Sequence, residues 1–280
     1  MAIGRDLFGL CAFADGELFV SGGVQSSHPS TRLASVERYD PSLDMWSAAP
    51  DLPRPRFAHC TCAVDDALYV LGGREQDDEG NEDTVRSVLK FDSQMQIWSE
   101  VAPMPAARER AGTCVLGSDI YIFGGLDDED ESTPTTYRFS IETNEWATLA
   151  AMPEAKYDSS VCVFDSQIFL VGGMNSDYAA VSSVHRFDPV ANSWSAVAPM
   201  SVARSRCGAF VLGGSIYVVG GFNGVSRVAS MERYCIATDK WSDVRDGELC
   251  TARSSFGAHM VRLEMDLFDS LIAKAKLSRR

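Results

Sequence analysis

Five glycine pairs, at 22–23, 72–73, 124–125, 172–173 and 220–221, recur at spacings of 50, 52, 48 and 48 residues. Each closes an apolar run rich in Val, Ile, Tyr and Phe: ELFVSGG, ALYVLGG, DIYIFGG, QIFLVGG and SIYVVGG. Such runs read as strands. A polar stretch follows, and then an aromatic residue with a Trp seven positions later: Tyr39 and Trp46, Phe91 and Trp98, Phe139 and Trp146, Phe187 and Trp194, Tyr234 and Trp241. The text between them (YDPSLDMW, FDSQMQIW, FDPVANSW) is turn chemistry joining two strands. A repeat at this period constrains the fold more than any single motif can.

Each unit of about 50 residues supplies four short strands, which is the pattern of a propeller blade. The reading is all-β: a propeller of four-stranded blades, with repeats at about 5–53, 54–105, 106–153, 154–200 and 201–251 and a partial sixth at 252–262. Glycine is expected where backbones approach closely or φ is positive. The Trp is expected to pack one blade on the next. Residues 263–280 form a tail whose Leu267, Phe268, Leu271, Ile272 and Ala275 share one helical face.

The chain resembles the kelch repeats of BTB-kelch adaptor proteins. The resemblance is carried by the glycine pairs, by VERYDP at 36–41, by the Trp of each repeat, and by the closing phrases APMP (102–105), AMP (151–153) and APM (198–200). It covers residues of about 5–262 and implies a kelch propeller. Such rings usually close with six blades, so a five-blade ring and an incomplete six-blade ring both stay open. The BTB and BACK region of those adaptors is missing from this sequence, so recruiting a cullin by that route is not expected.

Residues at the junction between repeats carry the main site expectation. The junctions read LPRPRF, MPAARERAG, MPEAKYDSS, SVARSRCG and CTARSSF. They place Arg54, Arg56, Arg108, Arg110, Lys156, Arg204, Arg206 and Arg253 toward one mouth of the ring. Arginine pairs with carboxylates in a two-pronged fork, and the resemblance implies capture of an acidic peptide there. The competing role is structural: the same side chains could bind carbonyls and carboxylates of neighbouring blades and hold the ring together. Tyr178 and Phe222, on loops after the glycine pairs, are candidate aromatic contacts. The acidic loops 74–86 and 126–136 read as solvated loops, or as a docking surface for a basic partner.

Charge and composition exclude other classes. A net charge of −14 argues against nucleic acid and anionic membranes, both of which need a basic face. No apolar run is long enough to span a bilayer, and the first residues lack the layout of a signal peptide. The eight cysteines form no CxxC and sit mostly in strand-like runs, which favours a reducing compartment: cytoplasm, with the nucleus as alternative. No cofactor or metal is expected, because the four His (28, 59, 185 and 259) supply no recognisable ligand set. HExxH, the P-loop and GxSxG are missing too. The expected function is a non-catalytic protein-interaction module, a substrate-recognition or scaffold subunit. A cytoskeletal, actin-binding scaffold and a kelch-type sugar epimerase or oxidase are the alternatives.

Overall fold

The computed structural model describes residues 1–13, 16–244 and 248–254, and it contains no helix among them. Five four-stranded antiparallel sheets follow one another along the chain. Blade 1 is Gly9–Ala12, Leu18–Ser21, Val36–Asp40 and Met45–Ala49. Blade 2 is Cys60–Val64, Ala67–Leu71, Val88–Asp92 and Ile97–Val101. Blade 3 is Gly112–Leu116, Asp119–Phe123, Thr136–Ser140 and Glu145–Leu149. Blade 4 is Ser160–Phe164, Gln167–Val171, Val184–Asp188 and Ser193–Val197. Blade 5 is Gly208–Leu212, Ser215–Val219, Met231–Cys235 and Lys240–Asp243. Strand order within each sheet is chain order, so every blade is a simple meander.

The seven-residue spacing from aromatic to Trp is hairpin register. Phe91 lies opposite Trp98, Phe139 opposite Trp146 and Phe187 opposite Trp194, each with ring centroids 4.9 Å apart. Such directly opposed aromatic pairs are favourable units of sheet stability. The direction of packing differs from the expectation. Four of the five indoles face the preceding blade and donate their N–H to that blade's chain end: Trp98 to the Pro50 carbonyl (3.0 Å), Trp146 to Ala102 (2.8 Å), Trp194 to Ala150 (2.9 Å) and Trp241 to Ala198 (2.7 Å). Two of these acceptors, Ala102 and Ala198, open the closing phrases, and Ala150 directly precedes one. The N–H of the same alanines is taken by Asn144, Asn192 and Asp239. These hairpin residues have φ of 48–55°, a region that Asn and Asp tolerate best. The Trp side chains end half-buried between blades.

The glycine pairs have a concrete steric cause. The first glycine has φ of 58–64° and the second 87–113°. The N–H of the second meets the junction carbonyl of the next unit: Gly23 to Arg56, Gly73 to Arg108, Gly125 to Lys156 and Gly173 to Arg204, at 2.7–2.9 Å. A Cβ on Gly22, Gly72, Gly124 or Gly172 would lie 2.1–2.2 Å from that same carbonyl oxygen. Only glycine lets the strands hand over at this point. Gly220 and Gly221 repeat the geometry, and Gly221 N–H meets the Arg253 carbonyl at 2.9 Å. The chain thus leaves blade 5 as it leaves the others. The strand expected within 252–262 falls almost wholly outside the described residues, as does the tail 263–280.

Core residues sit between blades rather than inside one. Four apolar clusters each join two neighbours; one sets Phe123 and Met152 of unit 3 against Ile168, Leu170 and Phe187 of blade 4. Inner strands pack side by side from blade 1 to blade 5 in succession. Cys11, Cys62, Cys114 and Cys162 occupy one register on four of them, opposite Phe19, Tyr69, Tyr121 and Phe169. Burial pushes these thiols well up, so they behave as small apolar groups. All eight cysteines are unpaired. No helix among the described residues is long and apolar enough to cross a membrane.

Candidate functional site

The start of each inner strand lies opposite the end of the second strand, and the third strand starts there too. The junctions and the loops after the glycine pairs therefore share one face. Two loop sets that look separate in sequence form a single surface around the axis. In blade 2 the acidic loop is partly ordered: Arg74–Gln76 pairs with Glu82–Thr84 and with Arg56–Phe57. Shorter loops are built on Asx turns, in which the Oδ1 atoms of Asp127, Asn175 and Asn223 accept two backbone N–H groups each.

A belt of main-chain hydrogen bonds rims the mouth. Ala58 N–H donates to the Leu7 carbonyl, Arg110 to Ala58, Asp158 to Arg110 and Arg206 to Asp158, all at 2.8–2.9 Å. These five residues have φ of 51–55°, a left-handed conformation that costs energy in any residue but glycine. All five line a cavity of about 630 Å³ that runs between the inner strands of all five blades.

This turn splits the basic row in two. Arg56, Arg108, Lys156 and Arg204 precede it and are buried, at 2%, 5%, 1% and 0% exposure. They are inter-strand anchors, which corrects the expectation that they open onto the mouth. Arg204 donates to the Gly220 and Ser230 carbonyls, to Ser230 Oγ and to Glu232, whose carboxylate lies 3.1 Å away and is also buried. Arg56 repeats this with Gly72, Ser87 and Glu75. Arg108 has no carboxylate among the described residues; it reaches Thr135 and lies over the Tyr137 ring. Lys156 meets Glu154 (3.0 Å), Ser183 and His185; burial lowers its pKa against the pull of Glu154. Sequence reading missed one member of this row, Arg5, which holds Gly22, Ser35 and Glu37 in blade 1.

Of the expected residues, Arg110 and Arg206 reach the mouth, each 29% exposed. Between them stands Asp158, which the reading also missed. Its Oδ2 is 3.6 Å from Arg110 Nη1 and 3.2 Å from Arg206 Nε, and its side chain is 7% exposed. Burial raises its pKa, while the two guanidiniums hold it down. Arg206 lies over the half-buried Phe222 ring, 5.9 Å from its centroid. Arg110 approaches Glu109 (3.6 Å), which Arg74 pairs at 2.9 Å, and Arg74 in turn meets Asp130 of the blade 3 loop. A ladder of alternating charge therefore runs from the acidic loop to Phe222. Tyr178 stands apart at a loop tip, 70% exposed, and Arg253 is exposed. Arg54 is exposed and pairs with Glu75.

His59 also lines the cavity, with Thr61, Thr113, Ser159 and Ser160. It is buried, its Nε2 lies 2.9 Å from Ser21 Oγ, and its Nδ1 finds no partner among the described residues. Burial, with Arg56 nearby, lowers its pKa to about 3. His259 lies outside the described residues. No group of three or more His, Cys, Asp or Glu is placed to hold a metal ion among the described residues.

Comparison with known proteins is consistent with this architecture. The family model described as the KLHDC2/KLHL20/DRC7 Kelch-repeats domain matches residues 58–268, and the Kelch motif matches 10–53. Kelch-like protein 36 of Bos taurus is 36% identical over 100 residues, which is 36% of this chain and 16% of that protein. Kelch-like protein 33 of Homo sapiens is 31% identical over 124 residues, 44% of this chain and 22% of that protein. Beta-scruin of Limulus polyphemus is 31% identical over 121 residues, 42% and 13% of the two chains. The matches to these relatives span less than a quarter of their length. Among solved structures, that of YjhT superposes with a TM-score of 0.79 over 91% of this chain and 87% of its own, at 16% identity, a likeness of fold alone. With its repeats, glycine pairs and inter-blade Trp in register, the chain belongs to the kelch-repeat family.

Proposed function

We propose that this chain is a non-catalytic protein-interaction module that captures a carboxylate-bearing peptide at the Arg110–Arg206 mouth, as a substrate-recognition or scaffold subunit. One observation carries the reading. Two guanidiniums, with partly free donors, are held by a main-chain belt at the entrance of a cavity on the loop face. Binding residues gather on loops that a rigid scaffold positions. Phe222, under Arg206, adds an apolar shoulder for the methylenes of a bound acid. The unpaired cysteines and the acidic surface suit a cytoplasmic or nuclear setting.

The test compares the 280-residue chain with its Arg110→Ala and Arg206→Ala variants, made singly so that the buried Asp158 keeps one guanidinium, in capture from lysate, with thermal melts of all three. Loss of a discrete partner set by a variant that melts like wild type supports the reading. Retention of the same partners overturns it and moves attention to the acidic loops. Arg56 and Arg204 are unsuitable for this purpose, because removing a buried anchor would unfold the blade.

A further inference from the structure

We infer that the face of blade 1 turned away from blade 2 is a docking site for an extended, uncharged segment of a partner protein carrying Ala-Pro-Met, whose alanine Asp44 and Trp46 hold at both its N–H and its carbonyl. The inference is independent of the mouth.

The sockets between the other blades define this one. In blades 3, 4 and 5 a hairpin Asn or Asp and the Trp two residues on grip one alanine of the preceding unit. Asn144 and Trp146 hold Ala102, Asn192 and Trp194 hold Ala150, and Asp239 and Trp241 hold Ala198. In blade 2 Trp98 holds Pro50 by its carbonyl alone, since proline has no N–H to offer. Blade 1 carries the same pair in the same geometry. Asp44 has φ of 53°, and its Oδ1 accepts the Tyr39 hydroxyl at 2.7 Å, just as Asp239 Oδ1 accepts that of Tyr234. Asp239 takes the Ala198 N–H with that same oxygen. Among the described residues no carbonyl meets the Trp46 N–H and no other unit's N–H meets Asp44.

Burial marks the same opening. Leu18 and Tyr39 lie in register with Trp46, and both are half-buried. The equivalent pairs in blades 2 to 5, such as Ile168 and Phe187, are covered by the unit before and only 0–2% exposed. On the far side of blade 5, Tyr217 and Met231 are half-buried where Phe169 and Val184 of blade 4 are buried. The inner strands of blades 5 and 1 do not pack side by side as the other neighbours do. An extended segment laid here continues the series of inter-blade interfaces: it covers apolar surface and satisfies the socket through its main chain, a recurring mode of peptide recognition. Two other occupants fit poorly. Blade 5 has Arg245 four positions after its Trp, where the gripped alanine or proline stands in the other units. A second copy would offer closing phrases that its own blades already hold.

The experiment follows the five Trp indole N–H signals of the isotope-labelled 280-residue chain by nuclear magnetic resonance, with Trp46 identified by its loss in Trp46→Phe. The probe is the unlabelled peptide SWSAVAPMS, copied from residues 193–201. The Trp46 signal should shift and exchange more slowly with solvent on adding peptide, while the other four stay in place. A peptide with Pro for the alanine should bind about fivefold more weakly, through loss of one hydrogen bond. Asp44→Gly, which keeps the positive φ without strain, should lose the same factor with the alanine peptide and nothing further with the proline one. A Trp46 signal unmoved by millimolar peptide overturns the inference, and so does equal binding of a peptide with Arg for the alanine. A signal already protected in dilute chain alone would mean that the chain fills its own socket, and one that shifts with chain concentration would mean a second copy. Either result overturns the partner assignment.

Discussion

His59 makes stability depend on pH in a way that can be worked from its surroundings. The imidazole is buried and lies near Arg56, and among the described residues its one hydrogen bond is to Ser21. Its folded pKa is lowered from 6.5 to about 3. The folded state thus refuses a proton that the unfolded chain accepts below pH 6.5. A depressed histidine contributes stability that is fully present above the unfolded pKa and is lost as pH falls toward the folded one. Each pH unit in that window is worth about 1.4 kcal/mol, so the step from pH 7 to pH 5 should remove about 2 kcal/mol. Gln places an amide nitrogen near the Nε2 position and cannot titrate, so His59→Gln is the suitable perturbation. Urea unfolding of wild type and variant at pH 7 and pH 5 isolates the effect, because the carboxylates common to both cancel in the difference. The variant should start less stable and lose about 2 kcal/mol less than wild type over this interval. Equal losses in the two proteins would refute the buried, neutral state of His59.

Gly124→Ala should cost about 3 kcal/mol or more by denaturant midpoint, since its Cβ would sit 2.2 Å from the Lys156 carbonyl oxygen. Gly80→Ala, at positive φ but with nothing within 4 Å, should cost about 1 kcal/mol, and equal costs would mean that φ alone matters. Trp194→Phe keeps the ring against Phe187 but deletes the bond to the Ala150 carbonyl, so about 1 kcal/mol should be lost. Trp46→Phe should cost less, because Trp46 has no such acceptor among the described residues. Arg204→Ala should lower stability by about 3–5 kcal/mol, because it strands the buried Glu232 carboxylate, whereas Arg206→Ala should cost less, because Asp158 keeps Arg110 beside it.

The blades were legible because they repeat. A Gly pair and an aromatic–Trp offset that recur five times expose their spacing, and spacing is hairpin register. Packing direction was not legible, because nothing in a Trp's own repeat says that its N–H seeks Ala150 of the unit before. The mouth was half legible. Arg204 and Arg206 stand two residues apart and look equivalent in sequence, but a left-handed residue at 206 sends one guanidinium into the blade and the other to the opening. Asp158 escaped because only basic residues were collected. Its signal was positional: it takes the place in MPEAKYDSS that Arg110 takes in MPAARERAG. The Ser21–His59 contact joins residues from different repeats, and no local pattern announces it.

The belt through Leu7, Ala58, Arg110, Asp158 and Arg206 is made entirely by main-chain atoms. Its backbone bonds are the same whichever side chain occupies the seat, while the anchors two residues earlier act through their side chains. A leucine, an alanine, two arginines and an aspartate fill equivalent seats with the same backbone bonds. Recognition and architecture are thereby written into separate letters of each junction. Changes at the belt seats can alter what the mouth accepts, one blade at a time, while the anchor row goes on holding the blades together.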